Sequence, residues 1–389
     1  MEPSYQVYID NISISAGTPS FNITFPIISN GDVFSASAYG PDNQALGVNI
    51  TYPSSSYASV VVSTQNLTSF SLVTILDGTT YLYGNYTTYL DFYPTTNSNI
   101  TTTSTTYLPE GAQYLFYNYT QGNFSSSTSG TRTVLSGTGT SFINSTSGTV
   151  TYGGNYQQLE VSSLNRLFEI GTSNILVQDT ITFNVTGLSF YPYFEYSLST
   201  ININTPPGAT GISVGDTIGT LSYVQNNNGT ITVTLRNSII SNEVVEFTLY
   251  YSLPLSSMVT SDNGRAVFSS AVSPSWLNYP VRGSAVIILM PLGSSDPQMA
   301  GAQTLTYNGH LAAMASFGPS IITYVNPSYS LSYVPSLIGP YLLLIIIIVL
   351  VVIAIVSYVI YRLVWKKRRA QRGAGQASPA AKPQQNPSK

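Results

Sequence analysis

The chain has 389 residues, and 29 of them are charged, 16 Asp or Glu and 13 Lys or Arg. This charged share of 7% lies far below the roughly 25% of an average soluble domain, whereas the 12% aromatic content is too high for a disordered chain. The absence of cysteine and the single histidine exclude disulfides, thiol catalysis, thiolate metal sites and most histidine chemistry.

Apolar and polar residues alternate with period two along most of the first 318 residues, which predicts β-strands. Strands are expected at 5–14, 21–27, 59–63, 70–75, 79–93, 174–186, 191–202, 243–253 and 281–289. Two hairpins are expected, around Asn226-Asn227-Asn228-Gly229 and Asn308-Gly309, because these residue types tolerate positive φ. This spacing predicts an all-β ectodomain of two antiparallel, Ig-like β-sandwiches.

Shifts in composition divide the chain into six segments. We expect a membrane-distal, sequon-rich β-sandwich at 1–124, a Ser/Thr/Gly-rich linker at 125–156 and a membrane-proximal β-sandwich at 157–318. An extended stalk at 319–337, a transmembrane helix at 338–361 and a basic, disordered cytoplasmic tail at 362–389 would follow. The alternative for 125–156 is a long polar hairpin inside one sandwich.

The apolar run at 341–361 carries no charge and would span about 30 Å as a helix, the thickness of a bilayer core. Residues 1–340 hold all 16 acids and five Arg, 5 − 16 = −11, whereas 362–389 holds the other eight cations. The positive-inside rule therefore predicts a single-pass protein of the cell membrane with an extracellular N-terminus and a cytoplasmic C-terminus. The cations nearest the predicted span are Arg362, Lys366, Lys367, Arg368, Arg369 and Arg372.

The first residues show neither a cationic nor an apolar leader, so we expect that a signal peptide was removed. The alternative is that the single span itself directs export.

Eleven Asn-x-Ser/Thr triplets with x other than Pro lie on the predicted outer side, where N-linked glycans are attached. Chance placement of 12 Asn and 49 Ser/Thr in residues 1–150 gives about four triplets, 12 × 49/150, and nine occur there. We therefore expect a glycoprotein. The acceptor asparagines are Asn11, Asn22, Asn49, Asn66, Asn85, Asn99, Asn118, Asn123, Asn144, Asn184 and Asn228.

The searched catalytic, cofactor and metal motifs do not occur in the sequence. His310 is the only histidine, it follows a predicted turn, and no Gly-x-Ser-x-Gly nucleophile elbow exists. The Asp-Gly-Thr of Asp77 and the Asp-Thr-Ile of Asp216 differ from the Asp-Thr/Ser-Gly of pepsin-like enzymes, and Asp262-Asn263-Gly264 is a turn. Because these motifs do not occur, we expect no enzyme, no cofactor and no metal site. We also expect no nucleic-acid partner, because the predicted ectodomain has a net charge of −11 and no basic stripe.

The Ser/Thr/Asn/Tyr-rich, cysteine-free β ectodomain with dense sequons and one C-terminal anchor resembles the cell-surface glycoproteins of thermoacidophilic archaea. A second, local resemblance covers 164–254. There Asn165-Arg166 before a strand, VQDTITFNVTG at 178–188 and EFTLYYSLP at 246–254 are similar to modules of ribophorin I, a single-span accessory subunit of oligosaccharyltransferase. Neither resemblance transfers a functional residue.

The first resemblance implies a structural or adhesive role in the cell envelope, through protein–protein contacts of the β domains. The expected partners are other envelope or membrane proteins, the lipid bilayer through one helix, and N-linked glycans. The alternatives are a non-catalytic accessory subunit of a membrane enzyme complex and a solute-binding receptor, which a deep aromatic-lined cleft would favour.

Overall fold

A computed structural model of the chain describes residues 5–14, 16–27, 32–77, 80–83, 86–92, 100–109, 111–119, 123–141, 147–153, 157–186, 188–189, 197–321, 326–336 and 342–374. These residues are mostly β-strands arranged in several sheets, followed by one long apolar helix at the C-terminus. The predicted mostly-β architecture is therefore confirmed. We describe it as three regions that follow one another along the chain.

The N-terminal β region covers residues 5–77 and is one six-stranded sheet in the order β1-β6-β3-β4-β5-β2. Its buried core includes Phe25, Val60 and Leu72, because alternate residues of each strand face inward. The strands are β1 (Tyr5–Ser13), β2 (Phe21–Pro26), β3 (Asp32–Tyr39), β4 (Ala45–Ser54), β5 (Tyr57–Ser63) and β6 (Ser69–Asp77).

The middle β region contains β7 (Thr80–Tyr83), β8 (Tyr86–Phe92), β9 (Ile100–Tyr107), β10 (Gln113–Tyr119), β11 (Asn123–Ser129), β12 (Arg132–Ser141) and β13 (Ser147–Gly153). Strands β10, β13, β8 and β7 pair in that order, and β11, β12 and β9 form a separate sheet. The Ser/Thr/Gly-rich stretch at 125–156 carries paired strands, since β11 pairs with β12 and β13 pairs with β8. Whether it is a linker or a hairpin inside one sandwich stays a prediction. The division into two folded units stays a prediction.

The C-terminal β region begins at residue 157 and has the largest core, around Phe168, Phe183, Phe247, Phe268 and Trp276. Its strands are β14 (Leu159–Ile170), β15 (Asn174–Val185), β16 (Leu188–Ser189), β17 (Ser197–Asn204), β18 (Thr210–Gly215), β19 (Tyr223–Gln225), β20 (Thr230–Ile240), β21 (Val244–Pro254), β22 (Val259–Asp262), β23 (Arg265–Ala271), β24 (Ser284–Leu289), β25 (Ser295–Gln298), β26 (Gln303–Tyr307), β27 (His310–Phe317) and β28 (Ser328–Val334).

The C-terminal β region contains a seven-stranded sheet, β18-β21-β15-β14-β24-β27-β26, a three-stranded sheet, β17-β20-β19, and a four-stranded sheet, β22-β23-β28-β25. β16 joins the middle region by pairing with β7. The prediction of antiparallel sheets needs correction, because β14 pairs with β24 in parallel and β16 pairs with β7 in parallel. A parallel pair requires a long crossover, and the many strands between β14 and β24 supply it.

The predicted stalk at 319–337 contains β28, which pairs with both β23 and β25. Tyr329, Leu331 and Tyr333 of this strand are buried in the large core. The interpretation of this segment as a stalk is therefore wrong. Its alternating apolar residues are the signature of a strand that buries one face.

Both predicted hairpins form. β19 pairs with β20 across the turn that contains Gly229, and β26 pairs with β27 across Asn308-Gly309. Asn308 and Gly309 have φ values of 48° and 81°, the two successive left-handed residues of a tight hairpin turn.

The C-terminal helix α1 (Leu342–Ala374) contains a candidate membrane span at Leu344–Lys366, 23 residues with a mean hydropathy of 3.2. The side chains of this span are exposed, since no other part of the described chain covers them. One helix in the described part of the chain is thus long and apolar enough to cross a membrane, as the sequence predicts. The helix continues beyond the predicted end of the span at residue 361 as far as Ala374, so the prediction of disorder is wrong for residues 362–374.

Candidate functional site

Four charged side chains meet where the N-terminal and C-terminal β regions touch, and we call them the junction cluster: Arg282, Asp32, Asp77 and Glu160. Arg282 donates from Nη1 and Nη2 to the two carboxylate oxygens of Asp32 at 3.0 and 2.9 Å. It also donates to Asp77 and, through Nε, to Glu160 Oε1 at 2.8 Å. One guanidinium therefore contacts three carboxyl groups.

The backbone fixes the position of each member of the junction cluster. Asp32 begins β3 and Asp77 ends β6, and the two residues are direct partners in that strand pair. Glu160 lies on β14, and Arg282 N donates to Val161 O at 2.9 Å, which holds the arginine beside the same strand. The cluster thus connects the ends of two interior strands of the N-terminal sheet, β3 and β6, to the central strand β14 of the seven-stranded sheet.

The junction cluster carries more acid than base. The side chains of Asp77 and Glu160 are 2% and 4% exposed, whereas that of Arg282 is 35% exposed. Burial, together with hydrogen-bonding contact to the carboxyl groups of Glu160 and Asp32, raises the pKa of Asp77 well above its ordinary value. Two carboxyl groups can share a hydrogen bond only if one of them holds a proton. The arrangement can therefore bind a proton at the junction.

The other members respond in the opposite direction. Burial opposes ionisation of Asp32, but hydrogen bonds with Asp77 and Arg282 outweigh it and lower its pKa. Burial likewise works against the charge of Arg282, and its hydrogen bonds with Asp32 and Glu160 raise its pKa nevertheless. Asp32 and Arg282 therefore form the ionised pair, and Asp77 is the group that takes up the proton.

An apolar contact surrounds the junction cluster. Tyr5, Phe34 and Ile75 of the N-terminal β region pack with Ile321 of the C-terminal β region, and all four are buried. The guanidinium carbon of Arg282 lies 5.5 Å from the centre of the Phe34 ring, within cation–π range. The charges at the junction are thus partly shielded from water, which strengthens their interactions.

A second polar group lies inside the C-terminal core. Arg166 Nε donates to Asp179 Oδ1 at 2.9 Å, and the Tyr251 hydroxyl donates to Asp179 Oδ2 at 2.7 Å. Trp276 Nε1 donates to the Tyr251 oxygen at 3.3 Å. Burial and the negative charge of Asp179 raise the pKa of Tyr251, so that its hydroxyl keeps its proton. All four residues, Arg166, Asp179, Tyr251 and Trp276, are buried in this core.

The predicted glycan acceptors fall into three groups. Asn11, Asn22, Asn49, Asn66 and Asn228 are exposed, and Asn184 is half-buried. Asn118 lies on β10 and Asn123 begins β11. Asn85, Asn99 and Asn144 lie outside the described residues. Their glycosylation stays a prediction.

The predicted membrane-flanking cations follow the apolar segment on α1. Arg362 and Lys366 are exposed, and the helical backbone continues through Lys367, Arg368, Arg369 and Arg372. The structure therefore places all six on one continuous helix with the candidate span. Which side of a membrane they face stays a prediction.

His310 starts β27, and its Nδ1 lies 2.9 Å from Met290 O, so the single histidine is occupied by a backbone contact. Within the described ranges, no group of three or more His, Cys, Asp or Glu is placed to hold a metal ion.

A cleft of about 450 Å³ opens beside Gln298, Thr304 and Ser330, and its lining contains no aromatic side chain. This cleft therefore differs from the deep, aromatic-lined cleft that would favour a solute-binding receptor.

The junction cluster could not be found from sequence. Asp32 and Asp77 stand 250 and 205 residues away from Arg282 and share no motif with it. The one signal in the sequence was the absence of cations near these carboxyl groups, since residues 5–77 contain four Asp and no Lys or Arg. Buried carboxylates in such a segment need a cation from elsewhere, and Arg282 is one of five in the first 340 residues.

No protein-family model matches the chain, and no curated protein matches it. Among solved structures, the M1 zinc metallopeptidase of Deinococcus radiodurans is similar at 16% identity, with 45% of this chain and 42% of that chain covered and a TM-score of 0.32. A two-domain mutant of an M1 zinc metallopeptidase bound to L-tryptophan gives 15% identity, 46% and 43% coverage and a TM-score of 0.33. The chain thus spans less than half of these peptidases, and scores this low establish no shared fold.

Proposed function

We propose that the chain is a single-pass, membrane-anchored extracellular glycoprotein with a structural or adhesive role in a cell envelope. In this proposal the β regions contact other envelope or membrane proteins, and α1 holds them at the bilayer. The N-terminus is extracellular, the C-terminus is cytoplasmic, and the protein is not an enzyme. The proposed origin is a thermoacidophilic archaeon, in line with the resemblance in composition.

The observation that carries this proposal is the exposed apolar segment Leu344–Lys366, attached to a folded β structure that leaves it uncovered. Exposed apolar surface of this extent is tolerated only in a lipid environment or an interface. The cations follow this segment and the sequons precede it, which supports the proposed orientation.

We also propose that the β regions are β-sandwiches of the Ig-like type. Support comes from contacts between the two ends of the N-terminal sheet. The Tyr8 ring of β1 lies 5.5 Å from that of Phe25 on β2, and the Phe21 ring of β2 lies 5.7 Å from that of Phe70 on β6. Strands at opposite ends of the sheet order thus face each other across a shared core, as two packed layers do.

Topology is tested on intact cells that express the full chain with a C-terminal epitope. Added protease should remove the β regions and leave a small, epitope-bearing membrane fragment, and a glycosidase should increase the gel mobility of the intact chain. A β region that resists the protease on intact cells but not on opened cells would contradict the proposed orientation. Unchanged mobility after the glycosidase would contradict the glycoprotein.

The role is tested by purifying the native complex in mild detergent and identifying its components by mass spectrometry. Stoichiometric recovery with lattice or filament proteins would support the structural role. Recovery with a polytopic glycosyltransferase would replace it with the accessory-subunit alternative.

A further inference from the structure

The asparagines of the strands in the N-terminal and middle β regions share two properties. These strands contain five asparagines, each of which starts an Asn-x-Ser/Thr triplet. Each also lies where its strand has one strand partner among the described residues. The five are Asn11 on β1, Asn22 on β2, Asn49 on β4, Asn118 on β10 and Asn123 on β11.

The strand pairs show that these positions are sheet edges. β1 pairs with β6, β2 with β5, β10 with β13 and β11 with β12, and each of the four ends its sheet in the strand order. β4 pairs with β3 through Ala45 and Leu46 alone, whereas Gly47–Ser54 pairs with β5, so Asn49 lies on an open edge too. The interior strands β3, β5, β6, β7, β8, β12 and β13 contain no asparagine.

The side chains of Asn11 and Asn22 present their amide nitrogens for modification. Asn11 accepts a hydrogen bond from Ser71 through Oδ1 at 2.7 Å, and Asn22 accepts one from Ser59 through Oδ1 at 2.6 Å. Both residues are exposed, and Nδ2, the atom to which an N-linked glycan attaches, takes no part in these bonds. Asn49 is exposed as well.

An open strand edge offers unpaired N–H and C=O groups to any other strand, and proteins block such edges with charge, proline, bulges or cover. Residues 5–77 contain no Lys or Arg. Apart from asparagine, the residues of β1 and β2 that could block strand pairing are Asp10 and Pro26. In the C-terminal β region, the edge strand β25 carries both kinds of protection, Asp296, paired with Arg265 at 2.6 Å, and Pro297.

We propose that N-linked glycans on the edge strands of the N-terminal and middle β regions prevent these edges from pairing with a second copy of this chain. The inference rests on the proposal that the chain is a glycoprotein, and it assigns a role to the glycans at these five positions. Copies of a membrane protein share one plane and meet repeatedly, so an unprotected edge would meet an identical edge. A glycan on each of these five asparagines would occupy the space that a second strand needs in order to pair there.

The test compares two triple variants of the full chain, made in a glycosylating host and purified in detergent. Ser13→Ala, Thr24→Ala and Thr51→Ala together remove the edge sequons of Asn11, Asn22 and Asn49 and keep the asparagines. The control combines Thr68→Ala, Thr186→Ala and Thr230→Ala, which removes the sequons of Asn66 and Asn228 in turns and of Asn184 on the interior strand β15. Both variants lose three sites.

Sedimentation velocity over a concentration series measures self-association, and glycopeptide mass spectrometry measures occupancy. We expect the edge variant to associate at a protein concentration at least tenfold lower than the parent and the control. If the parent is unglycosylated, the proposed glycoprotein itself fails. If the sites are occupied and the two variants associate alike, the edge inference is overturned and the glycoprotein stands.

Two further measurements guard against a folding defect of the edge variant. Thr24→Ser and Thr51→Ser keep the sequons, so these variants should remain as monomeric as the parent. Enzymatic removal of glycans from the folded parent should produce the same association as the edge variant. A deglycosylated parent that stays monomeric would also overturn the inference.

Discussion

The N-terminal and C-terminal β regions handle charge differently. Residues 5–77 hold four aspartates and no cation, whereas the C-terminal β region holds Arg166, Arg236, Arg265 and Arg282. Each of these arginines contacts an aspartate. Three of them bond to aspartates of their own region, and Arg282 alone reaches into the N-terminal region. The smaller region therefore depends on its neighbour for the cation that contacts Asp32 and Asp77.

The two cores differ in the same direction. Phe25 and Phe70 are the buried phenylalanines of the N-terminal core, whereas the C-terminal core contains Phe168, Phe183, Phe247, Phe268 and Trp276. Aromatic side chains contribute much of the apolar area that a core buries. The C-terminal region should thus be the more stable of the two, with the junction cluster transmitting part of that stability.

The largest effect is expected when the ion pair inside the C-terminal core is broken. Asp179→Ala leaves the guanidinium of Arg166 buried without its carboxylate, and both side chains are almost inaccessible to water. We expect the free energy of unfolding to fall by about 3–5 kcal/mol, measured by urea denaturation of the full chain in detergent.

The matched control is Arg236→Gln, which breaks the exposed pair with Asp216 in the same region and keeps the hydrogen bonds that Asp216 accepts from the backbone N–H groups of Ile218 and Gly219. Because water screens that pair, little or no change in unfolding is expected. Equal losses from the two variants would contradict the distinction between them.

An intermediate effect is expected at the junction. Arg282→Gln removes the one cation that contacts Asp32, Asp77 and Glu160. The loss should be about 1–3 kcal/mol, less than for a fully buried pair because Arg282 is partly exposed. Hydrogen exchange should show faster opening of β3 and β6 than of β15. Uniform acceleration across both regions would show that the junction does not set the stability of the N-terminal region.

The pH dependence distinguishes the two regions further. The pKa of Asp77 is raised above 3.8 in the folded state, so the folded chain holds a proton that the unfolded chain has released. The free energy of unfolding should therefore fall as pH rises from 3.8 to the raised pKa. Asp77→Asn should flatten this fall. The lowered pKa of Asp32 acts at lower pH, where stability is lost as its carboxylate is protonated.

Asp10 provides a control on the same sheet. Burial raises the pKa of Asp10 to about 6, and its Oδ2 has no hydrogen-bond partner. Asp10→Asn should remove a fall of the same sign, about 1–3 kcal/mol between pH 4 and pH 6, without changing the hydrogen exchange of residues at the junction. Thermal unfolding over a pH series measures both. An Asp77→Asn profile identical to that of the parent would contradict a protonated junction.

The smallest effect is expected at the Asn308-Gly309 turn. Gly309 has a φ of 81°, which an alanine adopts at a cost of about 1 kcal/mol. Gly309→Ala should lower the stability of the β26–β27 hairpin by that amount in thermal unfolding. Gly318→Ala serves as the control, because no atom lies near the added methyl group and φ there is not positive.

The local alternation of apolar and polar residues and the turn residues were sufficient to predict many of the strands and both hairpins. Alternation located strands such as β15 and β21 to within a residue or two, and positive-φ residues located both hairpins. The same reasoning failed at β28, because proximity to the span suggested a stalk despite the alternation of Tyr329, Leu331 and Tyr333. The parallel pairing of β14 with β24 and the junction cluster depend on contacts between distant residues, which leave no periodic trace in the sequence.

The helix α1 does not stop where its apolar segment stops. Residues 367–374 extend it by about 12 Å at 1.5 Å per residue, with the same hydrogen-bonded backbone. Because the α-helix is uninterrupted, a tilt of its apolar segment also displaces the cationic residues that follow it. Tilting of the apolar segment in a bilayer would therefore move the cationic residues at the end of α1 relative to the membrane surface.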